Sequence, residues 1–491
     1  IAAFGGDPDN FTFPRYCLDF AFFRAYENGQ PAKVKDYLKW SRTGAKEGEL
    51  MLVTGHPGTT GRLQTLAQLE LARDVTYPFT LKLLSALIEE LQRYSAESAE
   101  NKRAARDLLF SFQNSFKAYS GFLRGLRDPQ LMARKRKEED TLRKAVSARP
   151  DLREKYAHVW DEVAAASAEH ARIAKEYSLL ETNAARGSDL FRIARTTLRY
   201  GEEKAKPSAD RLREYRDAAI PPLEQELYSP APITPGMEKA LLARHFAFWV
   251  QELGADHPVV KQVLQGKTPQ QAAENYVSST KLASVEERKR LVNDPEALRA
   301  SQDGMIRLAR LLDPAARAVR KRYEDKVEAV LTPSASALAL ARFSVSGESD
   351  YPDATFTFRI AYGPAVGYKA NGKQIPWATT FAGLFARATG KEPYVLPRRW
   401  IEARPRLKLD MPFNFVTTAD THGGNSGSPT VNATGEITGI LFDGNLEGLP
   451  NRFVYNDMDE RSIHVASQGI VEALRTVYHA GSVLKELNLN H

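Results

Sequence analysis

The 491-residue sequence predicts an α+β multidomain protein in which a β domain is split by a large inserted helical domain. Three observations predict it. Glycine is unevenly placed, with 8 in residues 70–342 and 23 in the two flanks. The flanks hold short strand-like runs closed by Gly-rich turns. The glycine-poor middle holds apolar stripes at helical spacing among Ala, Leu and charged residues. The expected division is therefore 1–69 plus 343–491 as one discontinuous β domain, and 70–342 as a helical domain.

In chain order, Leu50–Thr54 before Gly55-His56-Pro57-Gly58 reads as a strand entering a turn. Leu84, Leu87, Ile88 and Leu91 then follow i, i+3, i+4, i+7, and Leu109, Phe112, Phe116 and Tyr119 form a second stripe. The charge run Arg134–Lys137 followed by Glu138, Glu139 and Asp140 fits a solvated helix face. Pro221, Pro222, Pro230, Pro232 and Pro235 cut the region into several helices. Beyond it, Phe356, Phe358, Ile360 and Tyr362 alternate with Thr357, Arg359 and Ala361, the pattern of a half-buried strand. Asn371-Gly372 signals a hairpin turn. Ile437–Phe442 reads as a strand running into Asp443-Gly444-Asn445.

Composition excludes several classes. At 43% hydrophobic and 26% charged, the chain is an ordinary globular mixture and not a disordered or fibrous one. A net charge of +7 over this length does not indicate a nucleic-acid partner. The basic clusters Arg288–Arg290 and Arg320–Arg322 lack interleaved aromatics and read as solvated helix faces. No run reaches the roughly 20 apolar residues of a membrane-spanning helix, so no membrane insertion is expected. The single cysteine, Cys17, excludes an intrachain disulfide and reads as a buried small hydrophobe. No cofactor or metal is expected. His-Glu-x-x-His is absent, Asp7-Pro8-Asp9-Asn10 lacks the rest of a calcium loop, and Gly55–Arg62 has the wrong spacing for a phosphate loop. The start, Ile-Ala-Ala-Phe-Gly-Gly-Asp, has no initiator Met or signal segment and reads as the middle of a longer chain.

One segment carries chemistry: Thr421-His422-Gly423-Gly424-Asn425-Ser426-Gly427-Ser428-Pro429. A Gly-x-Ser-Gly-x-Pro run is how chymotrypsin-like enzymes present a nucleophilic serine. Its glycines allow a tight turn that aims the N–H groups of Gly424 and Ser426 at one oxyanion position, each donor worth about 3–4 kcal/mol. The competing reading is a Gly/Ser-rich turn without chemistry. A serine also needs a base and an orienting carboxylate. The histidines are 56, 158, 170, 245, 257, 422, 464, 479 and 491. His422 is too near Ser426 along a turn, and His464 in Ser462–Val465 reads as a packed imidazole.

Four separated motifs together resemble the bacterial dipeptidyl peptidase 7 and 11 family of serine exopeptidases: Gly5–Arg15, the Gly-x-Pro-Gly-Thr-Thr-x-Arg run ending at Arg62, Gly423–Pro429, and Phe442–Asn445. The resemblance covers essentially the whole chain. It implies a chymotrypsin-like double β-barrel, incomplete here at its N-terminus, with a helical regulatory domain. It also implies a homodimer in the periplasm of Gram-negative bacteria, or secreted, that releases N-terminal dipeptides from peptide substrates.

Carried over position by position, Ser426 is the nucleophile and Asp19 orients the histidine. Asn10, Phe11 and Asp443 grip the substrate's α-ammonium, Gly444 lies at the P1 pocket, and Asn114 reaches the cleft from the helical domain. Phe11 replaces the family's usual Trp, Tyr16-Cys17-Leu18 replaces His-Thr-Gly, and His422 replaces Thr. The family's base lies upstream of Asp19, where this sequence has no histidine, so residues 1–491 are expected to be inactive alone. With Gly444 in place of a cation and no Lys or Arg between Val431 and Asn451, an apolar P1 is expected. Two alternatives stand beside this reading. One is a catalytically silent peptide-binding protein of the same fold. The other is a trypsin-like endopeptidase using Asp420, six residues before Ser426.

Overall fold

The computed structural model describes residues 1–349, 351–370 and 372–489. The chain forms two compact units, one of residues 1–64, 117–138 and 348–491, the other of 65–116 and 139–347. The division differs from the expected one by a few residues at 65–69 and 343–347 and, more, in residues 117–138, helical sequence that packs with the strands. Small residues permit that packing: a side chain at Gly121 would overlap Leu449, and one at Gly125 would lie 2.8 Å from Pro450.

The strands of the first unit are β1 (Tyr26–Glu27), β2 (Gln30–Pro31), β3 (Lys39–Trp40), β4 (Leu50–Gly55), β5 (Arg359–Pro364), β6 (Tyr368–Ala370), β7 (Lys373–Ile375), β8 (Ala378–Thr380), β9 (Pro412–Thr417), β10 (Pro429–Val431), β11 (Glu436–Gly444) and β12 (Ser462–Ala466). Their main sheet runs β5-β4-β10-β11-β12-β9-β8, with β3 parallel to β11. Thr418, just past β9, donates to the Pro364 carbonyl of β5 (3.2 Å), so the sheet curls until distant strands meet. The registers Gly55↔Arg359, Thr430↔Val53 and Pro429↔Ile440 bring the ends of β4 and β11 and the starts of β5 and β10 to one rim.

Inside the curl lie Met51, Phe415 and Ala466, and a larger cluster forms around Phe381, Trp400, Phe413, Val465 and Ile470. His464 is the expected packed imidazole. It stacks on Phe415 at 4.7 Å and shares hydrogen bonds with Thr430 Oγ1 (2.7 Å) and Thr417 Oγ1 (2.9 Å). Burial pushes it down to about 3, so it stays neutral. Asn371 lies outside the described residues, but β6 and β7 on either side pair as a hairpin.

The alternating run near 356–362 is a correction. Its strand spans only Arg359–Pro364, and Phe356, Phe358, Ile360 and Tyr362 are 55–64% exposed. The pattern gave the period correctly and the buried face wrongly, because alternation alone does not say which side meets the core.

The second unit is helical. Its elements include α1 (Tyr77–Glu97), α2 (Ala99–Arg127) and α3 (Pro129–Ala148), of which the last two run on into 117–138, then α4 (Asp189–Glu203), α5 (Pro235–Leu253), α6 (Gly304–Tyr323) and α7 (Ala329–Ser346). Leu84, Leu87 and Leu91 are buried on α1, and Phe112 on α2. Pro235 opens α5 and Pro221–Pro222 open the helix Ile220–Leu227, where a missing N–H costs little.

The two basic clusters are solvated faces in part: Lys289, Arg290, Lys321 and Arg322 are exposed, whereas Arg288 and Arg320 turn inward. Arg288 is buried and donates to the carbonyls of Leu282, Ala283, Leu227 and Ser229. Arg320 bonds Glu214 (2.6 Å) and Glu324 (2.7 Å), beside a buried Arg199 that joins Glu181 to Asp313. Lys135 of the run at 134–137 is likewise buried, on the Arg62 carbonyl (2.6 Å) and Glu138 (2.8 Å). Within the helical run Gly304–Ser346 one 18-residue window passes as long and apolar enough to cross a membrane by length and composition alone, while the run as a whole carries many charges.

Candidate active site

The rim gathers most of the expected site residues. Between Thr421 and Pro429 the chain makes a turn held by four of its amides. Asn425 N–H donates to the His422 carbonyl (2.9 Å), Gly427 N–H to Leu441 of β11 (2.7 Å), and Ser428 N–H to the Asn425 carbonyl (2.8 Å). The buried Asn425 side chain accepts from His422 N–H (3.1 Å). The N–H groups of Gly424 and Ser426 take no acceptor among the described residues, and Ser426 itself is exposed. Gly424 sits at φ +110°, and a Cβ there would lie 2.6 Å from the His56 carbonyl and 2.8 Å from Gly58 N. Only glycine fits a backbone of that sign against so close a neighbour.

At the end of β11, Asp443 meets the residues carried over for the substrate's amine. Its Oδ2 accepts from Phe11 N–H (3.1 Å) and Arg15 Nη1 (2.8 Å), and its Oδ1 from Gly444 N–H (2.9 Å). Phe11 holds φ +58°, a costly conformation for an aromatic residue, and its carbonyl accepts from Leu446 N–H (2.8 Å). Asn10 is buried in the same turn. Burial drives Asp443 above the usual carboxylate range, while the Arg15 charge opposes the shift. Of about four acceptor positions on the carboxylate, three are used, which leaves one on Oδ1. Arg15 also donates to Cys17 Sγ (3.0 Å), so Cys17 is buried as expected but in a polar contact. A Cβ at Gly444 would meet nothing nearer than the Arg461 carbonyl at 3.6 Å.

A second arginine–aspartate pair stands beside the Ser426 turn. Arg62 binds Asp420 through two bonds of 2.5 and 2.8 Å, contacts His422 Nε2 at 3.0 Å and donates to the Asn451 carbonyl (3.0 Å). Although burial opposes it, Arg62 and His422 hold Asp420 down to about 2. The turn bearing Arg62 is fixed by Asp353, which accepts from Thr60 Oγ1, Arg62 N–H and Leu63 N–H.

Asp19 is exposed and has no hydrogen bond or ion pair among the described residues. Asn114 lies on α2, in the second unit. None of the eight described histidines bonds Ser426 or Asp19: His245 sits on the Arg186 carbonyl, His257 near Glu176, and His422 and His464 as above. Sequence reasoning missed Arg15 and Arg62, although both stand at the ends of quoted motifs, because nothing local shows which distant carboxylate an arginine meets.

Comparison with known proteins gives this geometry a family. The Peptidase S46 description matches residues 1–489. The chain is 28% identical to an Asp/Glu-specific dipeptidyl-peptidase of Shewanella putrefaciens, covering all of this chain and 73% of that one. It is 25% identical to a dipeptidyl-peptidase 7 of Porphyromonas endodontalis, of which it spans 62%. In fold it is similar to DPP11 of Porphyromonas endodontalis in complex with the dipeptide Arg-Glu, with TM-score 0.81 at 21% identity over 100% of this chain and 73% of that one. With a whole-length family match on a curled antiparallel sheet and its helical companion, the chain belongs to the Peptidase S46 family.

Proposed function

We propose that this chain carries the nucleophile and the substrate-binding groups of a serine dipeptidyl aminopeptidase that releases N-terminal dipeptides with an apolar P1 residue. The observation that carries the reading is the rim itself: an exposed Ser426 in the turn before β10, with unbonded N–H groups on Gly424 and on Ser426 itself, and a carboxylate at the end of adjacent β11. The substrate's α-ammonium sits against Asn10, Phe11 and the open position of Asp443 Oδ1. That anchor places the second peptide carbonyl over Ser426. Ser426 Oγ attacks it, the oxyanion forms on the N–H groups of Gly424 and Ser426, and collapse releases the shortened peptide. Water then hydrolyses the dipeptidyl ester.

The base that takes the Ser426 proton is, in this reading, a histidine outside residues 1–491, oriented by Asp19. It belongs to a first barrel that completes the double-barrel fold. The stretch 20–38 supports this. It holds Phe23 at 94% exposure and Tyr26 and Tyr37 above 60%, around a two-stranded hairpin too small to be stable alone. Periplasmic or secreted location and a homodimer complete the proposal.

An apolar P1 is supported by the arginines near Asp443 and Gly444 being engaged: Arg15 by Asp443, Arg124 by the Leu446 carbonyl, and Arg461 by the carbonyls of Val366, Gly367, Asp457 and Glu460. An acidic P1 would lose hydration without a partner. The Shewanella relative is named Asp/Glu-specific, so this is a proposed difference within the family. Asp420, locked to Arg62, argues against the trypsin-like alternative. The test is hydrolysis of dipeptidyl fluorogenic amides by the complete enzyme and by residues 1–491. Full turnover with the former, a loss on the order of 10⁴–10⁶ with the latter and with Ser426→Ala, supports the reading. Full activity of residues 1–491 would transfer the base role to a histidine within them. No activity of the complete enzyme would favour the silent peptide binder.

A further inference from the structure

On the side of Ser426 away from Asp443, three exposed aromatic rings gather with no apolar cover. His56 follows β4, and its ring lies 6.3 Å from Phe356 and 5.7 Å from Phe358, which precede β5. Phe356 is 64% exposed, Phe358 is 62% exposed, and His56 is exposed. Phe356 holds φ +61°, the costly left-handed region for a bulky residue, and is fixed there by its N–H on the Pro57 carbonyl (3.0 Å). Its ring closes on the oxyanion turn, since a Cβ on Gly424 would lie 2.9 Å from Phe356 Cε2. Gly58 N–H, beside His56, donates to the Gly423 carbonyl (2.7 Å).

We infer that His56, Phe356 and Phe358 form the subsite for the leaving peptide, receiving apolar or aromatic side chains of the first two residues after the cleaved bond. The inference rests on the exopeptidase reading above. Sheet order supplies the direction. Along the rim the strands run β5, β4, β10, β11, so Ser426 stands between the aromatic cluster and Asp443. A substrate anchored by its amine at β11 and cut at β10 continues toward β4 and β5. Strand spacing is about 4.8 Å and an extended residue rises about 3.3 Å, so β4 is reached in one to two residues and β5 in about three, with the side chains of the first two residues reaching further across. Flat rings in water gain by covering with another apolar group. The strained backbone at Phe356 keeps one of them on the oxyanion turn instead of in the core.

The test uses the complete enzyme and peptides with one fixed N-terminal dipeptide and Phe, Leu, Gly or Asp in the next two positions. The expected result is a kcat/KM at least tenfold higher for Phe than for Gly. That ratio should fall below threefold in Phe358→Ala and His56→Ala and be kept in Phe358→Tyr. A second measurement needs no variant: phenylalaninamide should capture the dipeptidyl ester from Ser426 more efficiently than glycinamide, the amine nitrogen replacing Ser426 Oγ at the carbonyl. Equal kcat/KM for Phe and Gly, or equal capture by the two amides, would overturn the inference while leaving the exopeptidase reading intact. Failure to cleave any free-amine peptide would overturn both.

Discussion

Two arginine–aspartate pairs stand near the Ser426 turn and behave in opposite ways. Arg15–Asp443 is buried, with side chains 6% and 8% exposed, and a single 2.8 Å ion-pair contact. Arg62–Asp420 is bidentate and half open, at 22% and 33%. Burial wins at Asp443, whose carboxyl is driven up. Pairing wins at Asp420, which is held at about 2. The same two residue types therefore serve different ends. A forked pair reachable by water is a brace between the Arg62 turn and the turn that carries Ser426. A dry carboxylate with one acceptor position unfilled is poised for another cation, and in the proposed function that cation is the substrate's ammonium.

The largest way to break the comparison is Asp443→Ala. It leaves Arg15 buried without its partner and deprives the ammonium of its anchor, a loss of about 3–5 kcal/mol. Calorimetry of the variant and kcat/KM on free-amine peptides should both register it, the latter by at least about 10².

Asp420→Asn should cost less, about 1–2 kcal/mol after allowing for solvent screening. Acid titration separates the pairs further. The pKa of Asp420 is lowered from 3.8, so its stabilisation is present above 3.8 and is lost as pH falls toward 2. Asp443 has the opposite sign. Its raised carboxyl destabilises when ionised, and that penalty is relieved as pH falls through its folded value toward 3.8. Unfolding midpoints followed from pH 6 to pH 2 should show Asp420→Asn flattening the acid-side loss of stability and Asp443→Asn steepening it.

The smallest perturbation is Gly444→Arg. With open space around its Cβ, stability should change by no more than about 0.5 kcal/mol. The preference between Glu and Leu at P1 should nonetheless move toward Glu by about tenfold, read from kcat/KM on a dipeptidyl amide panel. A higher kcat/KM for Glu than for Leu before the substitution would refute the apolar P1 assignment.

How much of this was legible in the sequence follows from how local each signal is. Leu50–Thr54 and Ile437–Phe442 are strands because an apolar run and its closing Gly turn are adjacent in the chain, and they reappear as β4 and β11. The Ser426 turn was legible for the same reason. Which side of β5 faces outward was not, since both faces obey the same alternation. Nor were the partners of Arg15 and Arg62, set by contacts 428 and 358 residues away along the chain. The basic clusters misled at Arg288 and Arg320 alone, where partners such as the Leu227 carbonyl and Glu214 are distant in sequence, so only composition was visible. The segment 117–138 is helical, as its sequence says, but its glycines reveal their role only once Leu449 and Pro450 are beside them.

The most direct measurement of the central claim is mass-spectrometric product analysis of one octapeptide, with a free and with an acetylated N-terminus, cut by the complete enzyme. If the ammonium held at Asp443 sets the register, the free peptide yields successive dipeptides, and acetylation lowers kcat/KM by about as much as Asp443→Ala does. Internal cleavage of the acetylated peptide at the rate of the free one would contradict it.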